Sequence, residues 1–425
     1  MEHKPFAHNP LLPAHAFVPD AEARQWRDGR LYLYGSWDIE GRNDYCSTLY
    51  HVFSTDDFIK WTDHGVSFRS AGEGGEVGWS QSNLYAPDAI YRDGKYWLYF
   101  CLSDGSEGVA ESDAPAGPFK RATRIEGMEG IDPGVFIDDD GQAYIYWGQF
   151  DAVRAARLNP DMRTIDMSSV VQPLSVAEHN FHEGSSVRKH NGIYYYVYAD
   201  TGRHGERPTC LGYATSTSPL GPFTYRGVII DNFSCDPAVW NNHGSIAEFN
   251  RQWYVFYHRS SRSTIFNRRV CAESISFNAD GTIPEVEMTS QGPGGPIEAI
   301  YVLDGGIACL LHGSVRVDAC PLGGEQLAKA ASGDWAAVKY LDFKDGTARF
   351  SATASSVGGG TIELHLDSPD GPVLGSCAVP DTGDGGKYVS VSCPVSGAAG
   401  VHALYLVFAC NTDGGEVNLA RFRFV

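Results

Sequence analysis

A short pattern of turn residues followed by aromatic and β-branched residues occurs five times in the first two-thirds of the chain. Each copy opens with a turn rich in Asp, Asn or Gly and continues into an apolar run. Asp-Gly or Asn-Gly before such a run is the strongest short signal for a β-hairpin. The last copy has Arg251 where the others have Gly, which weakens its hairpin signal. The copies are residues 27–34, 92–99, 139–146, 190–197 and 249–256.

The spacing of these hairpins predicts a repeated all-β architecture. The turns lie roughly 50 to 65 residues apart, the period of propeller blades. Radial blades place their innermost strands around one central cavity. We therefore predict a five-bladed β-propeller over residues 1–290.

The pattern changes after residue 290. Residues 291–296 read Gln-Gly-Pro-Gly-Gly-Pro, which is the composition of a linker. Beyond them, Ser, Gly and Val alternate in strand-length segments such as 360–367 and 403–408, which is typical of a β-sandwich. The fold class predicted is thus all-β, with a β-sandwich (jelly-roll) domain over residues 297–425.

Composition and charge limit the classes of partner. The chain has 425 residues, 43% hydrophobic and 20% charged, which is ordinary for a globular protein. A net charge of −19 argues against nucleic acid or an anionic membrane surface, whereas a neutral ligand is compatible with it. The ten cysteines show no C-x-x-C motif, and Cys101 and Cys271 are predicted to be buried thiols.

The N-terminus carries no apolar h-region, so no secretory signal is visible in residues 1–6. A cytoplasmic location is therefore favoured, and secretion stays open if a leader was removed. No run approaches the ~18 to 20 apolar residues of a membrane-spanning helix. The sequence gives no indication of the oligomeric state.

Counting back from each turn to the preceding strand gives four acidic residues and one histidine, at Asp20, Asp88, Asp132, Glu183 and His243. In a propeller these positions face the central pocket. Carboxyls gathered around a neutral ligand suit glycoside hydrolysis, in which one carboxyl donates a proton and another activates water. A third negative charge nearby can hold up the pKa of the acid. A single Asp beside Pro is usually a strand cap, but the repeated register favours function.

Several strings resemble glycoside hydrolase family 43. This resemblance covers nearly all of residues 9–288 and implies a five-bladed propeller that inverts configuration at the anomeric carbon. It also implies an α-L-arabinofuranosidase, β-xylosidase or arabinanase activity. The strings are Asn-Pro-Leu-Leu-Pro at 9–13, Tyr-Ala-Pro-Asp-Ala-Ile-Tyr at 85–91, Ile-Asp-Pro-Gly-Val-Phe at 131–136, Glu-Gly-Ser-Ser-Val-Arg-Lys at 183–189 and His-Gly-Ser-Ile at 243–246.

The resemblance implies a role for each of the counted residues. Asp20 matches the general base and Glu183 the general acid. Asp88 matches the aspartate that modulates the pKa of the acid and orients the substrate, which leaves Asp132 as structural. The family's central histidine matches His243 and can face a bound cation or water beneath the sugar. The resemblance therefore allows a calcium ion at the propeller centre, although no cofactor is required.

Six residues are predicted to contact the substrate. An arginine late in the propeller matches either of two neighbouring arginines. Two tryptophans are candidates for stacking on a sugar face, because aromatic rings offer apolar area to its C–H bonds; packing between blades explains them equally well. Two further residues flank the catalytic positions. The set is Arg268, Arg269, Trp37, Trp79, Phe17 and His182.

One position departs from the family pattern. The family usually has Asp-Pro at the general base, whereas this chain has Asp20 followed by Ala21. Because side chains alternate between the two faces of a strand, Asp20 and Glu22 are expected to share a face. Glu22 is therefore a second candidate for the base.

The C-terminal segment resembles a family 6 carbohydrate-binding module. Such modules clamp a sugar between loop aromatics, but residues 385–387 are Gly-Gly-Lys where a tryptophan is common. Of the positions that hold the family's structural calcium only Glu298 matches, since Ile300 and Ala420 occupy the others. We therefore expect a module without calcium that binds sugar weakly or not at all and braces the propeller or shapes the pocket rim. The matching strings lie at 333–338, 362–372, 400–408 and 418–424.

The function predicted is an inverting glycoside hydrolase that removes α-L-arabinofuranosyl or β-D-xylosyl residues from arabinoxylan, xylan or arabinan. One alternative is a galactan- or galactofuranoside-directed hydrolase of the same family. A second is a non-catalytic carbohydrate-binding propeller, which would bind sugar without turnover. The retaining fructan hydrolases use an Asn-Asp-Pro-Asn-type motif that this sequence lacks.

Overall fold

The computed structural model describes residues 6–425, which are 49% strand and 4% helix. Residues 1–5, which make up most of the segment on which the expectation about a signal peptide rests, lie outside the described residues. Within the described part, no helix is long and apolar enough to cross a membrane, and α1 over Val176–His179 is the single α-helix. The ten cysteines are free thiols, and Cys101 and Cys271 are buried as predicted.

Residues 22–275 form five antiparallel sheets, in each of which consecutive strands pair side by side. The first contains β1 Glu22–Gln25, β2 Leu31–Tyr34, β3 Leu49–Thr55 and β4 Trp61–Arg69. The second contains β5 Asp88–Arg92, β6 Lys95–Cys101, β7 Ser106–Ser112 and β8 Lys120–Glu129. The third contains β9 Gly134–Ile137, β10 Ala143–Trp147 and β11 Arg154–Arg157. The fourth contains β12 Phe181–His190, β13 Ile193–Asp200, β14 Cys210–Ser216 and β15 Thr224–Asp231, and the fifth β16 Ser245–Phe249, β17 Gln252–Ser261 and β18 Thr264–Ile275.

The first strands of these sheets pack against one another in a ring. β1 contacts β5, β5 contacts β9, β9 contacts β12, β12 contacts β16, and β16 contacts β1 again. Five sheets radiating from a closed ring of inner strands are a five-bladed β-propeller, which confirms the predicted fold. Asn9 and Leu11 tie the N-terminal segment to β18 through hydrogen bonds with Ala272 and Val270.

The predicted hairpin turns join the first and second strands of the blades. Four of them place a glycine at positive φ, where a side chain is disfavoured. The fifth turn forms without glycine, because Asn250 and Arg251 both adopt positive φ, at 51° and 66°. The four glycines, with φ of 80–84°, are Gly29, Gly94, Gly141 and Gly192.

Residues 297–425 form two six-stranded sheets packed face to face around one apolar core. One sheet has the order β19-β24-β29-β26-β27, with β21 beside β24; the other has β22-β23-β30-β25-β28, with β20 beside β30. This is the predicted β-sandwich. The strands are β19 Ile297–Glu298, β20 Leu303–Asp304, β21 Leu310–His312, β22 Arg316–Ala319, β23 Glu325–Ala330, β24 Trp335–Asp342, β25 Arg349–Val357, β26 Gly360–Leu366, β27 Val373–Val379, β28 Val389–Pro394, β29 Val401–Cys410 and β30 Glu416–Phe424.

The predicted linker lies against both domains. Gly292–Gly294 form a 3-10 turn, and the Gly292 N–H is bonded to the Thr289 hydroxyl on the propeller side. On the sandwich side, the Gln291 N–H donates to the carbonyl of Lys339 at 2.7 Å.

Candidate active site

A pocket of about 300 Å³ opens at the centre of the propeller. It collects residues from just before or within the inner strands, residues from loops, and Arg268 from β18. Of the predicted site residues, Asp20, Glu183, His182, Arg268 and His243 lie in its wall. The full lining is Asp20, Tyr45, Cys46, Tyr85, Ile131, Asp132, Gln149, His182, Glu183, Trp240, Asn241, His243 and Arg268.

Asp20 is a buried carboxylate surrounded by donors and positive charge. The Arg268 guanidinium donates to its Oδ1 at 3.0 Å, and the Ser36 hydroxyl donates to its Oδ2 at 2.6 Å. Burial raises the pKa of Asp20, but Arg268, His243 and His258 together outweigh it, and the net pKa lies below the usual value. Asp20 is therefore ionised at neutral pH.

Arg268 is held in place by a second acid that sequence reasoning missed. Its Nε and Nη2 donate to the two carboxylate oxygens of Asp38, both at 2.9 Å. Arg269, the other candidate, is outside the pocket and forms an ion pair with Glu325 of the sandwich. Neighbouring residues of a strand point to opposite faces, so only one of the two arginines can reach Asp20.

Glu183 lies on β12 where the strand is irregular. The pairing with β13 shifts register on both sides of Glu183, and such bulges re-aim side chains. Gln149 donates Nε2–H to Glu183 Oε2 at 2.8 Å, and His182 Nε2 lies 3.6 Å from the same oxygen. A Cβ on the next residue, Gly184, would lie 3.0 Å from the His243 ring, and this tight approach together with a φ of 78° favours glycine here.

Asp132, which the sequence left as structural, is the third carboxyl of the pocket. Its Oδ2 lies 3.6 Å from His243 Nδ1. Burial raises its pKa well above the usual value, and the nearby charges of Glu183 and Asp20 raise it further. The charge of Glu183 thus disfavours ionisation of Asp132.

Asp88, predicted to modulate the acid, is not part of the pocket wall. It is fully buried and accepts hydrogen bonds from Arg24 Nη2 at 2.6 Å and from the Val135 N–H at 2.8 Å. The predicted position in the pocket was wrong because Asp88 lies within β5, where it pairs with Tyr99 of β6. Asp132, in contrast, lies two residues before its strand.

Glu22, the second candidate for the base, is also absent from the pocket lining. Arg188 donates Nη2–H to its Oε2 at 2.5 Å, and burial raises its pKa. The alternation of side chains along a strand predicted that Glu22 shares a face with Asp20. That expectation is wrong because Asp20 precedes β1 and has a φ of 59°, which breaks the alternation.

Three aromatic residues that were predicted to contact the substrate pack within the protein instead. Trp37 stacks on His51 with ring centroids 4.3 Å apart, and Trp79 stacks on Phe100 at 6.2 Å. Phe17 is buried and absent from the pocket lining. The aromatic residues that do line the pocket are Tyr45, Tyr85 and Trp240, which lie outside the strands.

The donors around His243 do not fit a directly coordinated calcium ion. Calcium takes six to eight oxygen ligands, whereas His243 Nδ1 is a nitrogen and faces Asp20 Oδ1 at 3.8 Å. That oxygen already accepts from Arg268, whose positive charge opposes a cation. Across residues 6–425, no group of three or more His, Cys, Asp or Glu side chains is arranged to hold a metal.

Comparison with known families matches both parts of the chain. The model of "Glycosyl hydrolases family 43" matches residues 7–283. The model of "Carbohydrate binding module (family 6)" matches residues 312–425.

Individual relatives match over much of their length. An arabinoxylan arabinofuranohydrolase of Bacillus subtilis is 33% identical, covering 98% of this chain and 92% of that protein. A xylosidase/arabinosidase of Thermoclostridium stercorarium is 36% identical over 67% of each chain. A solved structure of a B. subtilis arabinoxylan arabinofuranohydrolase with cellotetraose has a TM-score of 0.57 and 29% identity, covering 98% of this chain and 97% of that one.

Proposed function

Because the chain belongs to glycosyl hydrolase family 43, we propose that its propeller pocket removes single pentose residues from arabinoxylan with inversion at the anomeric carbon. The chain is a glycosidase of the arabinofuranosidase/xylosidase type, as are its named relatives. Carbohydrate is therefore its substrate. A pocket of about 300 Å³ is at the small end of ligand sites and suits one sugar residue.

The observation that carries the proposal is the set of three carboxyls in one pocket with different surroundings. Asp20 is paired with Arg268, which favours its ionised form. Glu183 has one oxygen held by the Gln149 amide and lies beside Asp132. A purely sugar-binding pocket has no need for an ionised carboxylate together with two interacting carboxyls.

In this mechanism Glu183 donates a proton to the glycosidic oxygen as the bond to the anomeric carbon breaks. Asp20 accepts a proton from a water molecule, and the water oxygen attacks the anomeric carbon from the opposite face. The products are a free pentose of inverted configuration and a leaving chain that has gained the proton of Glu183. Asp132, and not Asp88, is the third carboxyl of the pocket in this mechanism, and it interacts with Glu183.

The test is turnover of 4-nitrophenyl α-L-arabinofuranoside, 4-nitrophenyl β-D-xyloside and arabinoxylan, with proton NMR of the first-formed sugar. We expect pentose release and an inverted anomer. A retained anomer would rule out the water-attack scheme, and sugar binding without turnover would favour the non-catalytic propeller.

The role of Glu183 has its own test within this scheme. Glu183→Ala should reduce hydrolysis of arabinoxylan oligosaccharides far more than hydrolysis of the activated 4-nitrophenyl glycoside, because only the poor leaving group needs the proton. General acid catalysis contributes typically 10²–10⁴-fold. Full activity of this variant on the oligosaccharides would contradict the assignment.

A further inference from the structure

Phe150 has a solvent-exposed aromatic side chain beside the pocket. It is 48% exposed, and its ring meets the edge of the His182 ring at a centroid distance of 4.8 Å and an angle of 85°. Its φ is 51°, a left-handed conformation that costs a non-glycine residue about 1–2 kcal/mol. A ring that is so exposed makes too little packing contact to offset this cost. Strain that packing does not explain is commonly found at functional positions.

The turn that carries Phe150 is firmly anchored. Phe150–Ala152 form a 3-10 turn in which the Ala152 N–H donates to the Gln149 carbonyl at 3.0 Å. The carboxylate of Asp151 accepts from the N–H of Val176, the first residue of α1, at 2.9 Å. The ring is therefore presented by a backbone that needs little ordering when a ligand arrives.

The ring lies on the side of the pocket that holds the proposed acid. Gln149, directly before Phe150, donates to Glu183 Oε2 at 2.8 Å. His182, in contact with the ring, lies 3.6 Å from the same oxygen. A general acid must reach the glycosidic oxygen, so the leaving part of the substrate has to lie next to Glu183. The aromatic ring thus adjoins the space that the leaving chain occupies.

We propose that Phe150, backed by His182, is a stacking platform for the leaving xylan chain of the substrate. This inference rests on the proposed function. A xylopyranosyl ring is neutral and offers a face of C–H bonds, which suits an exposed aromatic surface. The pocket itself holds the pentose that is cleaved, and the platform binds the first sugar of the chain that departs.

The test compares two substrates that carry the same arabinosyl group. One is an arabinosylated xylotetraose, whose leaving group is a sugar chain, and the other is α-L-arabinofuranosyl fluoride, whose leaving group is fluoride. In Phe150→Ala we expect the ratio of kcat/KM on the oligosaccharide to kcat/KM on the fluoride to fall about five- to tenfold, in the range of aromatic contacts. Most of the fall should appear in KM for the oligosaccharide, and Phe150→Trp should restore the ratio.

Phe233→Ala is the matched control. Phe233 is 38% exposed and stacks on His204 at 3.9 Å, and His204 is not part of the pocket wall, whereas Phe150 contacts His182, which is. Loss of the Phe233 ring should therefore leave the ratio at the wild-type value. Phe150→Leu keeps apolar volume without a flat ring and should lower the ratio as Phe150→Ala does, which covers the case in which the alanine variant does not fold.

Two outcomes would contradict the proposed role of Phe150. An unchanged ratio in both Phe150→Ala and Phe150→Leu would mean that the ring does not meet the leaving chain. An equal loss on both substrates would mean that Phe150 only supports the pocket. If the wild-type protein turned over neither substrate, the proposed function would fail, and the platform would fail with it.

Discussion

At the scale of single residues, two of the three pocket carboxyls share an unusual backbone. Asp20 and Asp132 have φ of 59° and 58°, in the left-handed region that Asp and Asn tolerate better than most residues. Each lies two residues before its inner strand, so this geometry turns the side chain out of the alternation that the strand would impose. Asp88, inside its strand, does not have a positive φ. The left-handed backbone therefore distinguishes Asp20 and Asp132 from the buried Asp88.

Arg268 should set the acid limb of the pH–rate profile. Asp20 must be ionised to accept a proton from water, and Arg268 is the leading cause that lowers its pKa against burial. In Arg268→Gln the pKa of Asp20 rises, so the acid limb of kcat/KM moves to higher pH. Arg268→Lys keeps the positive charge and should move the limb less. Profiles on the 4-nitrophenyl arabinofuranoside from pH 3 to 9 would show this, and acid limbs that stay at the wild-type position in both variants would contradict it.

Substitution of Asp88 and of Asp132 should have opposite consequences. Asp88→Asn leaves the buried Arg24 guanidinium without its carboxylate, which costs about 3–5 kcal/mol of unfolding free energy. Asp132→Asn removes a buried carboxyl without leaving an unpaired arginine, so stability should change little. Because this carboxyl interacts with Glu183, its loss should disturb proton transfer by Glu183 and lower kcat at least about 100-fold. Urea unfolding and kcat measured on both variants would distinguish the two. A large catalytic loss in well-folded Asp88→Asn would favour the original assignment.

At the scale of elements, the hairpin turns locate the pocket more closely than the resemblance did. Asp20, Asp132 and Glu183 lie eight residues before the Asp or Asn of their turns, and all three line the pocket. Eight residues before the Asp93 turn is Tyr85, which also lines the pocket, whereas Asp88 is only five residues before it. The turn spacing thus predicts a pocket residue in four blades when it is applied regardless of residue charge. In the fifth blade the pocket residue His243 lies seven residues before Asn250.

Other parts of the site could not be predicted from such local patterns. Asp38 acts through a pair of hydrogen bonds to Arg268, which is 230 residues away in the chain. Tyr45 and Trp240 lie in irregular segments, whose path over the pocket depends on packing between blades and not on periodicity. Trp37 shows the reverse case, since it is a candidate for stacking on a sugar by residue type, but its ring packs on His51.

The last hairpin turn offers a test of element stability. Arg251 adopts a φ of 66°, which costs a non-glycine residue about 1–2 kcal/mol, while glycine pays roughly 0.5–1 kcal/mol in backbone entropy. Arg251→Gly should therefore stabilise the protein slightly, by up to about 1 kcal/mol. Gly192→Ala, at a φ of 80° in the preceding blade, should destabilise it. Chemical denaturation of both variants measures this, and a loss of stability in Arg251→Gly would contradict the strain argument.

At the scale of the whole molecule, β18 connects the pocket to the sandwich. Arg268 on one face of the strand holds Asp20, and Arg269 on the other face pairs with Glu325. Glu325 is buried and is also 3.3 Å from Arg262, whose N–H donates to the carbonyl of Val317 on β22. The sandwich therefore supplies a carboxylate that pairs with two arginines of the propeller. This arrangement supports the expectation that the module braces the catalytic domain.

Glu325→Gln tests this bracing, because it keeps the shape of the side chain and removes the charge shared by Arg269 and Arg262. Removing one partner of a buried ion pair leaves uncompensated charge and costs about 3–5 kcal/mol. Asp56→Asn is the matched control, since the Arg30–Asp56 pair is exposed and worth about 1 kcal/mol or less. Calorimetric unfolding should show a clearly lower midpoint for Glu325→Gln than for Asp56→Asn. Equal midpoints would mean that the sandwich is only attached to the propeller and does not stabilise it through Glu325.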